Sequence, residues 1–138
     1  MTGPIVVGID GSPASAAALT WALRQAAASD SSVVAICAWH YSTVPGGLAP
    51  MVGVDLEANA REILRRAVDQ TAGAARSVLS RTVSGQPVQV LADASEGAEL
   101  LVVGTRGHGS FAGALLGSVS SQVPGLAHCP TVIVPAGL

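Results

Sequence analysis

A chain of 138 residues with 49% hydrophobic but only 12% charged residues is sized for one domain around a full apolar core, not for a solvated, disordered chain. Its net charge of −2 leaves no basic field able to release counterions from DNA or RNA, which sets nucleic acid aside as the main ligand. All seven basic residues are arginine, so chemistry that needs a Schiff-base lysine or the lysine of a Walker A loop is excluded.

The first strand is Ile5-Val6-Val7-Gly8-Ile9, almost wholly apolar, as suits a strand covered on both faces. Asp10-Gly11-Ser12-Pro13 ends it, with Ser12 a natural N-cap and Pro13 suited to the first helical position. An alanine-rich helix over 14–28 is expected, with Leu19, Leu23, Ala26 and Ala27 on one stripe. A turn at Asp30-Ser31-Ser32 leads to a second unalternating strand, Val33 to Trp39. Residues 41–54 then form a connection well beyond the usual ~2–6 residues, a length found both in binding lids and in plain excursions.

Asp55 is placed to cap a second helix reaching Thr71, with Leu56, Ala60, Ile63, Leu64, Ala67 and Val68 inward. A more polar strand over 77–83, centred on Val78 and Leu79, suits a sheet edge. A short helix starts at Pro87 with Val88 and Leu91 inward, and Leu100 to Val103 and Thr131 to Val134 complete the strands. Strands alternating with helices indicate an α/β fold: an open parallel sheet with helices on both faces and right-handed crossovers. In the last helix, Pro124 removes a hydrogen bond and clashes with the carbonyl of Ser120, so that helix is expected to be kinked or cut short.

The mean hydropathy of +0.51 raises the question of a membrane, but no run of eighteen apolar residues occurs. The segment MTGPIVVGIDGSP lacks the basic region of a signal peptide, which points to a cytoplasmic protein without a membrane partner. Cys37 and Cys129 lie in apolar, strand-like surroundings and are read as two buried free thiols.

In open parallel sheets ligands bind beyond the carboxyl ends of strands. Three segments fall there: Gly8-Ile9-Asp10-Gly11, Ala38-Trp39-His40, and the run Gly104-Thr105-Arg106-Gly107-His108-Gly109-Ser110, followed later by Gly117-Ser118-Val119-Ser120. Glycines let a backbone approach a phosphate, and successive N–H groups can form an anion nest. Each residue also has a plainer role. Asp10 can cap the turn into the first helix, Ser118 can be an N-cap alone, and Arg106 can point to solvent. His108 has no nearby carboxylate in sequence to make it an acid–base group, and no catalytic residue is assigned. His40 and His128 do not form a metal cluster with it by spacing, and Trp39 is expected to pack beside the mouth of the site.

The spacing Gly104-x-x-Gly107, nine residues, then Gly117-Ser118 resembles the nucleotide-binding signature of the universal stress protein family. The opening Ile5 to Ser12 and the closing Cys129-Pro130-Thr131-Val132-Ile133-Val134 are similar to that family as well, so the resemblance spans the whole chain as a single domain. It implies a Rossmann-like, five-stranded parallel sheet in the order 3-2-1-4-5 and a homodimer paired through the edge strand Thr131, Val132, Ile133 and Val134. It also implies ATP as ligand, with Mg²⁺. Asp10 would then lie by the adenosine, Ala38 would offer backbone contacts to adenine, and Val103 would line the base or ribose pocket. Gly104, Arg106, Gly107, Gly117, Ser118, Val119 and Ser120 would surround the ribose and phosphates, and Gly8 is counted with the nucleotide-binding residues. The expected role is regulatory or stress-related with at most slow ATP hydrolysis; the alternative is a nucleotide-independent dimeric scaffold of the same fold.

Overall fold

An almost wholly apolar segment occupies the middle of the sheet, where both faces are covered: Ile5, Val6 and Val7 are at most 2% exposed. In the computed structural model, which describes residues 3–40, 55–71, 78–106 and 116–137, this segment is β1 (Ile5–Gly8). Along the chain follow α1 (Pro13–Ser29), β2 (Val33–Trp39), α2 (Leu56–Thr71), β3 (Val78–Ser84), α3 (Pro87–Ala94), β4 (Leu100–Gly104), α4 (Ser118–Gln122) and β5 (Thr131–Val134). The five strands form one sheet in the order β3-β2-β1-β4-β5, every pair parallel, as the resemblance implied.

Alternation along each strand divides the core into two layers. Ile5, Val7, Val33, Ala35, Cys37 and Val102 pack beneath α1 and α2. Val6, Val34, Ile36, Leu101 and Val103 pack on the other side with Val90 and Leu91 of α3 and Val123. Helices therefore cover both faces.

Ser12 and Pro13 start α1 as expected: the Ser12 hydroxyl accepts the Ser15 N–H at 3.2 Å, and Pro13 occupies the first turn. The buried row of α1 is Ala14, Ala18, Ala22 and Ala26 with Leu19. Leu23 is only partly buried and Ala27 is exposed, so the expected stripe is corrected by one position: i, i+4 spacing carries the contact row through the alanines instead. Small side chains there bring α1 close to the sheet. At Gly104 the approach is closest, since a β-carbon on that glycine would stand 2.6 Å from the backbone carbonyl carbon of Ala14.

Asp55 caps α2 through the Ala58 N–H at 3.0 Å, and Ala60, Leu64 and Ala67 are its buried row. Its outer face carries Glu62, bonded to Arg65 at 2.6 Å and Arg66 at 3.0 Å; these hydrogen bonds hold the Glu62 carboxyl down at about 2. The pairs are exposed and add little to stability. β3 is the edge strand expected, but Val78 and Leu79 begin it and do not form its centre, and Leu79 is 59% exposed. Its polar residues take the interior positions because the edge needs no core residues there. α4 is cut to five residues and passes into a 3₁₀ turn at Val123–Gly125, the outcome Pro124 imposes. Both cysteines are free; Cys37 is buried, whereas Cys129 is only partly so, because it precedes the edge strand β5 and not a covered one. The long connection 41–54 lies outside the described residues.

Replacing Gly104 by alanine forces the end of β4 away from α1, an overpacking expected to cost about 1–3 kcal/mol. Urea unfolding followed by circular dichroism should show the midpoint falling at unchanged slope; an unshifted midpoint would mean that α1 does not approach this closely.

Candidate functional site

β1 and β4 are neighbours, yet the chain leaves β1 towards β2 and leaves β4 towards β5. Between two such departures an open sheet has a crevice at its carboxyl end. A cleft of about 220 Å³ lies there. Its floor is apolar, made by Gly8, Ile36 and Val103 from the strands and by Pro87 and Leu91 from α3. A β-carbon at Gly8 would stand 2.7 Å from Cδ1 of Leu91, so the leucine methyl would have to turn aside to admit one.

At one end of the cleft is Ala38. Peptide groups of a parallel strand face its two neighbours alternately. The Ile36 carbonyl accepts the Ile9 N–H on the β1 side, and the Trp39 carbonyl accepts the Gly85 N–H on the β3 side, each at 2.8 Å. Ala38 therefore turns its N–H and C=O towards β1. The last β1 pair is Gly8 with Ile36, so β1 has already diverged at this level. The Cys37 thiol stands 3.9 Å from the Ala38 carbonyl, a long contact. A donor and an acceptor thus stand side by side at the cleft wall, beyond the end of the ladder.

In the turn after β1, Gly11 takes a φ of +85°, and the Asp10 carboxylate accepts the Ser12 N–H at 2.9 Å. Asp10 does cap the turn, as its plainer reading required, and it also lines the cleft. Ser12 and Ser15 line it beside Asp10; the Ser15 hydroxyl donates to the Ser12 carbonyl at 3.0 Å and accepts the Asp10 N–H at 3.3 Å.

The opposite end is built by Arg106 and the start of α4. Gly117, in extended conformation with φ −80° and ψ 177°, is the N-cap, and Ser118 is the first helical residue. Ser118 is therefore not the cap itself; the backbone has already begun to coil at its position. The N–H of Gly117 donates both to the Thr105 carbonyl at 2.6 Å and to the Ser120 hydroxyl at 2.9 Å. The Ser120 hydroxyl donates to the same Thr105 carbonyl at 2.6 Å and is 1% exposed. Ser120 is thus a strut that ties α4 to the end of β4. The N–H groups of Ser118, Val119 and Ser120 belong to a first helical turn, which has no carbonyl one turn earlier to accept them. Ser118 is exposed, so its hydroxyl reaches solvent at the cleft rim.

Gly8, Asp10, Ala38, Val103, Gly104, Arg106, Gly117, Ser118, Val119 and Ser120 all line this single cleft. Gly107 and His108 lie outside the described residues. His128 is exposed just before β5, at the opposite end of the sheet, and donates its backbone N–H to the Ser95 hydroxyl at 2.8 Å. Among the described residues no three His, Cys, Asp or Glu side chains converge as a metal centre. Ile9 belonged to a segment already placed at the ligand end; the lining residues that sequence reasoning passed over are Ser12, Ser15, Ile36, Pro87 and Leu91. Ser12 was visible as a helix cap, and a cap that follows a strand beside the point where the chain reverses direction across the sheet faces the crevice. Pro87 carried no signal beyond its position at a helix start.

Beneath Ala38, Cys37 is 3% exposed, and burial, followed by the charge of Asp10, pushes its thiol up to about 11. A folded-state value above the ordinary 9.0 favours the native state below pH 9 and loses that contribution as pH rises through 11. Stability should therefore fall by on the order of 2 kcal/mol between these limits. Denaturant titrations at pH 8 and pH 11 on the wild type and on Cys37→Ala check this: the variant should lose less over the interval, and an equal loss in both would refute the assignment.

The profile of the universal stress protein family matches residues 1–135. Universal stress protein Rv1996 of Mycobacterium tuberculosis is 35% identical over 95% of this chain and 47% of its own length. Universal stress protein Mb2028c of Mycobacterium bovis is 37% identical over 94% of the chain and 47% of its own length. The chain thus spans about half the length of the curated relatives it matches. Among solved structures, a universal stress protein in complex with cAMP superposes with a TM-score of 0.74 at 32% identity, covering 98% of each chain. Universal stress protein UspA from Lactobacillus plantarum reaches a TM-score of 0.78 at 22% identity over 96% of this chain and 97% of its own, a likeness of fold alone.

Proposed function

The chain belongs to the universal stress protein family, and from that premise we propose that its cleft binds an adenine nucleotide, ATP with Mg²⁺, in a regulatory role. The observation that carries the reading is Ala38, which offers an adjacent backbone donor and acceptor where β1 and β2 part. Adenine presents a matching pair on one edge: a ring nitrogen that accepts, and an exocyclic amine that donates. The apolar floor of Ile36, Val103 and Leu91 takes the faces of the base. The relative solved with cAMP supports the same ligand class.

The base at Ala38 directs the ribose past Gly8, Asp10 and Gly104 and the phosphates towards Arg106 and α4. With lysine absent from the chain, the phosphates are held by the first-turn N–H groups of Ser118 and Val119, the Ser118 hydroxyl and the Arg106 guanidinium. α4 is too short for its macrodipole to matter much, so the individual N–H groups carry this contact. Gly107, which lies outside the described residues, joins them in this reading. Mg²⁺ would ride on the phosphates, with Asp10 the carboxylate on the cleft wall. Asp10 is already bonded to the Ser12 N–H, and the described cleft wall offers no carboxylate–histidine pair to activate water. Hydrolysis is accordingly slow if it occurs at all.

One observation favours a second reading, a dimeric scaffold that needs no nucleotide. Gly104 is required by its packing against the backbone of Ala14, so glycine there does not by itself imply a ligand. Both readings share the dimer. β5 pairs with β4 on one side only among the described residues, and its Val132 and Ile133 are incompletely buried, a strand edge that pairing with a second copy would cover. Sedimentation at micromolar concentration should give the mass of two chains; a monomer would contradict the pairing.

Mass spectrometry of the purified protein and titration with Mg-ATP, ADP, AMP and cyclic AMP separate the two readings. Bound or retained adenine nucleotide is expected, and none would leave the scaffold. Ser118→Asp sharpens the test, because a carboxylate at this exposed position leaves the packing of α4 untouched but repels phosphate. ATP affinity should fall by about tenfold or more at unchanged thermal stability. Undiminished affinity would place the phosphates elsewhere.

A further inference from the structure

A second hollow, of about 230 Å³, opens on the far side of the β2 terminus between that strand and α2. It shares two walls, Ala38 and Pro87, with the first cleft. Beyond them it is lined by Trp39, Leu56 and Ile63, with Asn59 and His40 as its polar groups. The two hollows therefore meet at the residue assigned to the adenine edge.

The sheet order decides which part of a bound nucleotide can reach it. Arg106 and Ser118 stand beyond β4, and β1 separates β4 from β2. Phosphates and anything attached to them point away from the second hollow, so only the base can extend into it. If adenine donates one hydrogen of its exocyclic amine to the Ala38 carbonyl, the second hydrogen is not needed for that contact. It can be replaced without breaking the pair.

We propose that this hollow is a base-end subsite, and that the chain prefers adenine nucleotides carrying one apolar substituent, aryl or branched alkyl, on the exocyclic amine. The substituent packs against Trp39, Leu56 and Ile63 while the base keeps both bonds to Ala38. Two substituents on the amine remove its last hydrogen and with it the donor. The inference rests on the adenine reading of the first cleft, and its test is arranged so that the two can fail separately.

Calorimetric titration of the full chain compares ATP, ATP with one benzyl group on the exocyclic amine, and ATP with two methyl groups there. The benzyl analogue should bind at least about tenfold more tightly than ATP, the gain expected for burying a ring, and the dimethyl analogue more weakly than ATP. Asn59 is exposed on α2 at the rim, so Asn59→Trp can fill the hollow without entering the core. That variant should keep the wild-type affinity for ATP and lose the benzyl advantage. ATP binding with equal or weaker binding of the benzyl analogue would overturn the subsite and leave the adenine reading standing. A benzyl advantage that survives Asn59→Trp would also overturn it. Failure of all three nucleotides to bind would overturn the adenine reading, and the subsite with it.

Discussion

Two positions without a β-carbon at the upper edge of the sheet govern how closely the helices can approach it. At Gly104 a side-chain carbon would collide with the backbone of Ala14, and at Gly8 with the side chain of Leu91. Because neither exists, α1 closes on β4 from one face and α3 on β1 from the other. The start of α1 then lies close enough for Ser12, Ser15 and Asp10 to form a wall of the same cleft whose floor Leu91 supplies. The glycines make the cleft first by letting its walls come together, and any contact with a ligand comes after that.

A single carbonyl holds the opposite end. Thr105 accepts from both the Gly117 N–H and the Ser120 hydroxyl, while its own N–H reaches the Val134 carbonyl at 2.9 Å. The end of β4, the start of α4 and the end of β5 are thereby tied at one residue. This clasp offsets the shortness of α4, which Pro124 limits to little more than one turn. It also divides labour between two serines two residues apart: Ser120 is buried and committed, and Ser118 is exposed and turned to the rim. In a chain whose cations are all arginine, an anion site of this kind must rely on peptide N–H groups and hydroxyls, with Arg106 as the cation on the described wall.

The alternation of strands and helices was legible because the buried strands are unbroken apolar runs and the helices between them announce their starts, Ser12-Pro13 and Asp55 most plainly; the strand order came only with the family resemblance. The truncation of α4 was legible for the same kind of reason, since a proline's missing N–H acts regardless of context. What could not be read was face and depth. Ala27 looked as apolar as Ala26, yet one residue of helical rotation, 100° about the axis, puts it in solvent. Cys129 sat in an apolar run like Cys37, but an edge covers its strands less than the middle does. The cleft residues were found through the resemblance of a spacing, whereas the reason for glycine at 104 lies in Ala14, 90 positions away along the chain, which no local pattern records. The donor–acceptor pair of Ala38 was equally hidden, because it depends on where a neighbouring strand stops.

The central claim is that Ala38 reads the base through its backbone while the first turn of α4 holds the phosphates. Backbone amide resonances followed by NMR during titration with Mg-ATP test it most directly. The account predicts that the Ala38, Ser118 and Val119 amides shift together and saturate at one affinity, with the β3 edge unmoved. Shifts confined to other residues, or none at saturating nucleotide, would contradict it.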